Sequence, residues 1–439
     1  MPLSSRSDFF HYSTTLSYEK QPMISAVMKH FGFLILFVSK LASAAPSPLS
    51  WDEIRSIARE RNASLSAAVK TVEASQKGVK AKFGEFLPKF SLNADQSHST
   101  TEISSLKKTT TDLRLGATAS WNLFNGFSSL SSWTKAKANA AESSANLDLT
   151  SASLRRDLRL AFFRIAVLQD KIRLLEKDLK RVQQNAKLVE LKYNSGSEAR
   201  WNLRTTKAEV ARAESDLANS KVQLLAAREA LASLLELEDL PDRPVSAPDP
   251  SALQIQKLET DSASHPQVLK DRYAAAAARE DIRLARSGYF PSLDLSLSRN
   301  FTDARPDGAA ASKTNVNAIA LAATWNLFNG SIDHFKLQQA GLLHEAAELS
   351  AARTIRKVTS TIRSREADLN NALAKLPANR AIREAAEERE KTVSEQYRSG
   401  LKSYLDWEQA ESSLLNAEQL EINSINDVFN AFAELELAQ

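Results

Sequence analysis

A chain of 439 residues has the length of two or three ordinary domains, but 11 glycines and 13 prolines are too few to punctuate that many short elements, so the elements must be long. Apolar residues make up 43% and charged residues 25%, with Ala, Leu, Glu, Lys and Arg dominant, which describes extended amphipathic helices and not a compact core. The absence of cysteine excludes disulfides, thiolate zinc sites and a cysteine nucleophile, and the net charge of +4 has no basic tract interleaved with aromatics, so no nucleic acid is expected as a partner.

The chain opens on a targeting signal. Lys29 and His30 precede the apolar run Phe31 to Val38, and Ala42-Ser43-Ala44 has the small residues a signal peptidase accepts, so residues 1–44 are expected to be removed on export. Their four Lys/Arg and two Asp/Glu leave the mature chain at +2. The run is too short to span a bilayer as a helix, which needs about 20 apolar residues. Polar residues before Met23 make Met23 or Met28 an alternative start.

The remainder is a tandem duplication. Phe86 to Leu92 aligns with Tyr289 to Leu295 at an offset of 203, and Asn62-Ala63 with His265-Pro266 at the same offset. After one residue of slack the offset is 204, and WNLFNG at Trp121 to Gly126 recurs unchanged at Trp325 to Gly330. Tyr193-Asn194-Ser195-Gly196 likewise pairs with Tyr397-Arg398-Ser399-Gly400. The first repeat is assigned to 45–239 and the second to 251–439, joined by a proline-rich linker at 240–250.

Each repeat runs through the same elements. Residues 51 to about 86 read as one helix ending at Pro88. From Lys89 the period becomes two: Phe90, Leu92 and Ala94 share one side, a polar loop follows from His98 to Asp112, and Leu113 to Leu123 returns with its odd-numbered residues apolar. Hairpins are therefore expected at 89–124 and 292–328, the second with Leu293, Leu295 and Leu297 facing Ile319, Leu321 and Ala323. Short strands apolar on one face and polar on the other, with Trp121 and Trp325 near one end, fit a transmembrane barrel with an interfacial aromatic belt. Four strands cannot close, so other copies must complete the ring: two copies would give 8 strands and three would give 12.

After Gly126, apolar residues from Leu154 through Leu158, Ala161, Ile165 and Leu168 to Val189 and Tyr193 keep a 4-3 spacing, a left-handed coiled-coil seam. The helix spans about 100 Å at ~1.5 Å per residue and needs an equally long partner, which two shorter helices stacked end to end supply. Long helical hairpins are placed at 127–237 and 331–439, turning at Gly196 and Gly400, and Pro377 should kink the second. The fold class is mainly α with a small β part: a long antiparallel coiled-coil bundle plus two β-hairpins per protomer.

This order of motifs resembles the TolC-like outer-membrane efflux proteins: duplicated helix-hairpin-helix halves, the F-L-P or F-P lead-in to the first strand, W-N-L-F-N-G leaving the sheet, and Y-x-x-G turns, over about residues 50–439. The resemblance implies a homotrimer with a 12-stranded barrel in outer-membrane lipid and a helical tunnel through the periplasm. It also implies a periplasmic adaptor (membrane fusion) protein and an inner-membrane transporter as partners, in efflux or type I secretion. By the same resemblance the tips at Tyr193, Ser195, Gly196, Ser399 and Gly400 meet the adaptor, and Tyr397, Lys402 and Asp406 match the tyrosine, basic and acidic positions of the entrance. Asn202 stands where some relatives have an acid that bonds that tyrosine, and Gln409 replaces a second acid, so the constriction is weaker in charge. Three Asp406 side chains are expected to ring the mouth and favour cations.

Other classes find little support. The six histidines are scattered, no H-E-x-x-H or G-x-x-x-x-G-K-[ST] occurs, and no cofactor or metal is expected, so the chain is read as no enzyme. A periplasmic coiled-coil adaptor or helical adhesin shares the long hairpins, but an adaptor has one helical hairpin flanked by β-rich domains, and here hairpins of both kinds come in twos.

Overall fold

The computed structural model describes residues 48–438 apart from 104–105 and 254–261. The expected signal peptide at 1–44 and part of the expected helix from 251 fall outside the described residues. In chain order the elements are α1 (Trp51–Arg61), α2 (Ala63–Phe83), β1 (Lys89–Ile103), β2 (Leu106–Asn125), α3 (Ser128–Asn194) and α4 (Arg200–Leu235) in the first repeat. The second holds α5 (Pro266–Ser287), β3 (Ser292–Pro306), β4 (Ser312–Thr324), α6 (Ile332–Arg398) and α7 (Tyr404–Ala438).

The expected single helix over 51–86 is divided at Asn62, whose backbone is extended (ψ 117°). Its side-chain Oδ1 accepts from the Leu65 N–H at 3.0 Å, starting α2, and its Nδ2 donates to the Leu234 carbonyl at 3.0 Å. The Ala63 N–H donates to Glu236 at 2.7 Å, so the start of α2 is joined to the end of α4. These two helices lie end to end along α3, and α5 with α7 repeat the arrangement along α6. In the second repeat His265 takes the capping role, its Nδ1 accepting from the Gln267 N–H at 3.1 Å, with Pro266 at the first helical position. The aligned pair Asn62-Ala63 and His265-Pro266 is thus a helix start in both repeats.

α3 and α6 are each 67 residues, about 100 Å of helix. The expected seam on α3 is only part of its buried surface. Leu158, Ile165, Leu168, Leu175 and Val189 are buried as the spacing requires, but Phe162, Phe163, Ala166 and Val167 are buried too, and Tyr193 is exposed. A single coiled-coil partner would cover one stripe; α3 instead packs against α2, α4, α5 and α7. The largest core lies at mid-length, where Phe163 stacks on Phe429 at 4.2 Å and the linker wraps the bundle through a Leu49–Val245 bridge and an Arg243–Glu53 ion pair. Pro377 sits on an exposed face and α6 stays helical on both sides of it, at the loss of one backbone N–H.

The four strands form one antiparallel sheet in the order β1-β2-β3-β4. Register confirms the expected apolar face: Phe90 lies opposite Ala119, Ala119 opposite Leu297 and Leu297 opposite Ile319, one continuous row. Two rows nearer the loops the same face carries Phe301 with Asn315, and then Asp303 with Lys313. The expected polar loop from His98 to Asp112 is paired strand almost throughout, with Thr100 opposite Thr109 and His98 bonded to Thr111 at 3.0 Å. β1 at 15 residues is therefore about 50 Å long, twice the apolar band of about 25 Å that a membrane barrel presents.

The two WNLFNG copies differ. In the first, strand pairing continues to Asn125 opposite Ser292, with a bulge between Asn122 and Phe124 that sets Phe124, not Leu123, against Leu293. The expectation that Leu123 ends the apolar row is corrected accordingly. In the second, β4 stops at Thr324 and Leu327 is outside the strand, because β4 is an edge with no further strand among the described residues to hold it. The tryptophans keep a shared role that the sequence did not disclose. Trp121 Nε1 donates to the Phe86 carbonyl at 2.9 Å and Trp325 Nε1 to the Tyr289 carbonyl at 3.1 Å, tying the exit of each hairpin to its lead-in. Both residues remain partly exposed, at 43% and 60%.

Candidate functional site: the tips of the two helical hairpins

Both hairpins reverse through the same backbone. Gly196 and Gly400 have φ of +76° and +79°, a left-handed conformation that a side chain resists. The N–H groups of Ser197 and Leu401 reach back to the carbonyls of Lys192 and Gln396, both at 2.8 Å, closing the last turn of each long helix. Ser195 and Ser399 are exposed at the two turns.

The tyrosines before these turns end in different places. Tyr193 is 36% exposed and Tyr397 only 2%. Tyr397 stacks on Trp407 with centroids 4.5 Å apart and planes at 12°, and Tyr404 meets both rings edge-on. With Val189 of α3 these three aromatics form a buried cluster that joins the hairpins. Two hydrogen bonds cross the same boundary. The Tyr397 hydroxyl donates to Glu198 Oε2 at 2.6 Å, and the hydroxyls of Thr206 and Tyr404 lie 3.0 Å apart. Lys192 of α3 adds a third link, donating to the Tyr397 carbonyl at 2.5 Å from a position over the ring.

Glu198 is the acid of this site, and it was not among the residues the sequence singled out. Asn202, expected at the acid's position, does not reach Tyr397; its Nδ2 donates to Glu198 Oε1 at 2.5 Å and holds that carboxylate in place. Burial pushes Glu198 up, but hydrogen bonds from Tyr397, Asn202 and the Ala199 N–H, with the charge of Lys192, outweigh it and hold the carboxyl below its usual range. Burial and the bond to Glu198 push Tyr397 far above the usual tyrosine range, so the hydroxyl keeps its proton. The sequence did contain the signal: at the 204-residue offset Glu198 is matched by Lys402, an acid against a base in otherwise like turns.

The remaining expected residues are placed as follows. Lys402 is exposed and makes no hydrogen bond to Tyr397 or Glu198; its charge lies beside Asp406. Asp406 closes a capping box at the start of α7: its Oδ2 accepts from the Ser403 hydroxyl at 2.7 Å and N–H at 3.3 Å, while its own N–H donates to Ser403 Oγ at 3.2 Å. Those bonds hold its carboxyl below the ordinary range, so it is charged at any physiological pH. Gln409 is exposed, one turn further along α7. Among the described residues no group of His, Asp and Glu could hold a metal ion, and no helix is long and apolar enough to cross a membrane.

The outer membrane efflux protein family model matches residues 54–236 and 260–438. The outer membrane protein TolC of Escherichia coli is 24% identical over 194 residues, a stretch that spans 39% of this chain and 39% of that protein. Among solved structures, a membrane protein from Pseudomonas aeruginosa superposes with a TM-score of 0.77 at 18% identity, covering 88% of this chain and 92% of the other. The outer membrane channel MtrE of Neisseria gonorrhoeae, in its open state, gives 0.75 at 23% identity over 88% of each chain.

Proposed function

Because the chain belongs to the outer membrane efflux protein family, we propose that three copies form a channel-tunnel of the Gram-negative outer membrane that passively conducts cargo delivered by an inner-membrane transporter and a periplasmic adaptor. One observation carries the reading: β1 and β4 are open edges of a sheet that carries an apolar row across all four strands on one face. In lipid, every unpaired N–H and C=O along those edges would cost several kcal/mol, so the edges must pair with each other across copies. Three copies supply 12 strands and a water-filled lumen, whereas the 8 of a dimer are filled by side chains.

The duplication supplies the register of that missing pairing. Ala119 of β2 lies opposite Leu297 of β3; moving each by its repeat offset sets Ala323 of β4 opposite Ala94 of β1 in the next copy. Directly opposed residues are within disulfide reach, and the chain has no other cysteine to interfere. The double variant Ala94→Cys, Ala323→Cys, oxidised in outer-membrane extracts, should give a ladder of linked chains ending at three. Cysteines that stay monomeric, or a ladder ending at two, would sink the proposal.

The tips act as the entrance in this reading. Aromatic stacking and the Tyr397–Glu198 bond hold the two hairpins of each copy together and narrow the mouth, and three Asp406 carboxylates around it favour cations. Reversal potentials that keep their cation preference in Asp406→Asn would reject that ring. The exposed turns at Ser195 and Ser399 are the adaptor-facing surface, and photocrosslinkers at either position should capture one periplasmic protein.

A further inference from the structure

Above the Tyr397 cluster lies a second contact between the hairpins, made of acids. Glu209 of α4 and Glu408 of α7 meet at the edge of a cavity of about 40 Å³ that both line together with Thr206, Tyr404 and Trp407. Glu209 follows Thr206 by one turn and Glu408 follows Tyr404 by one turn, so the pair continues the Thr206–Tyr404 link along the same boundary. Two carboxylates within hydrogen-bond reach repel unless one keeps a proton, in which case they share it.

We propose that Glu209 and Glu408 form a proton-dependent clasp between the two helical hairpins, closed while the pair holds one proton and loosened when the proton leaves. This rests on the reading of the tips as the channel's entrance. Burial first and Glu408 second push the Glu209 carboxyl up to about 7, against the pull of Arg212 on its own helix and with a small push from Asp178 of α3. Because the raised group favours the protonated, closed arrangement, its contribution is complete below the ordinary value of 4.5 and is lost as pH rises to about 7.

The other charged groups at the cavity act differently. Arg181 of α3 is engaged by Asp178 of its own helix at 2.6 Å and by Glu411 of α7 at 2.7 Å. Glu411 is itself pushed up to about 7 by burial and by Glu390 of α6, against Arg181. Proton loss there strengthens the pair with Arg181 and draws α7 toward α3, the opposite sense to the clasp. Asp216 of α4 is exposed at the rim, and Tyr404, raised to about 12, keeps its proton throughout.

The test is tip separation against pH in the full-length protein in detergent, with spin labels on Ser195→Cys and Ser399→Cys. Between pH 4.5 and 8 the distance distribution should move outward, and both Glu209→Gln and Glu408→Gln, which keep a hydrogen bond without the charge, should abolish that movement. A pH-independent distance in the unsubstituted pair, or an outward shift that survives in both variants, overturns the clasp. Conductance of the same protein in planar bilayers separates the two ideas: conduction with fixed tips keeps the channel and removes the clasp, and pH-responsive tips without conduction do the reverse.

Discussion

The two hairpin tips share a turn, a glycine conformation and a tyrosine, yet one tyrosine is sealed and the other faces solvent. The difference lies in three substitutions between equivalent positions. Tyr397 has Trp407 beneath it, and the first repeat has Leu203 at the position of that Trp; Glu198 supplies an acceptor where the second repeat has Lys402; and Ser403 caps α7 where Ala199 precedes α4 without a side-chain cap. The shared residues therefore fix the shape of the turn, and the unshared ones decide which tip ties the hairpins together.

The largest test of that division is Trp407→Ala, which removes a fully buried ring from under Tyr397 and should cost about 3–5 kcal/mol. Leu203→Ala at the half-buried equivalent should cost distinctly less. Amide exchange across residues 395–410 after each substitution gives the comparison, and equal losses would break it. Next comes Tyr397→Phe, which strands Glu198 without its hydroxyl donor at about 1.5–3 kcal/mol, while Tyr193→Phe should be neutral. Single-channel recordings should show a larger or more frequent open level only for Tyr397→Phe.

Acid supplies a milder perturbation. Because Glu198 is held below its ordinary value of 4.5, its link to Tyr397 is complete above that pH and is lost only as pH falls through the lowered value. In a Glu209→Gln background, where the clasp no longer responds to pH, tryptic cleavage at Lys192 and Arg200 should thus be steady from neutral pH down to about 5, measured by brief digestion after pH incubation. The smallest expected effect belongs to Asp406→Ala, which loosens only the start of α7, seen as faster exchange at Ser403 and Tyr404 with nothing changed at the other tip.

Much of the architecture could be read in the sequence because it is written twice. Offsets of 203 and 204 located the helices, hairpins and turns, and alternation from Lys89 identified the face that the strand register bears out. What could not be read depended on partners distant in the chain. The division at Asn62 needs the end of α4, 172 residues away, to receive its amide. The unequal ends of the two WNLFNG copies depend on which strand lies alongside, a property of the sheet and not of the six residues. Pairing of the His98–Asp112 segment was hidden because threonine-rich polar strands read like loop. At the site, Asn202 was chosen by position in a motif, whereas hydrogen-bond geometry selects its neighbour one turn earlier.

The junction of β2 with α3 has a mechanical consequence. Gly126 and Phe127 both have positive φ, and a side chain on Gly126 would meet the Ser287 carbonyl at 2.5 Å, while Phe127 is wedged between Phe124 and Phe290 at 5.1 and 6.1 Å. α3 then extends as an unbroken rod of 67 residues. A tilt of about 3° at that root would carry the far end sideways by about 5 Å, given roughly 100 Å of leverage. The aromatic contacts beside the sheet consequently set how far the tip of α3, about 100 Å away, can stray, and loosening them would be felt at the opposite end of the molecule.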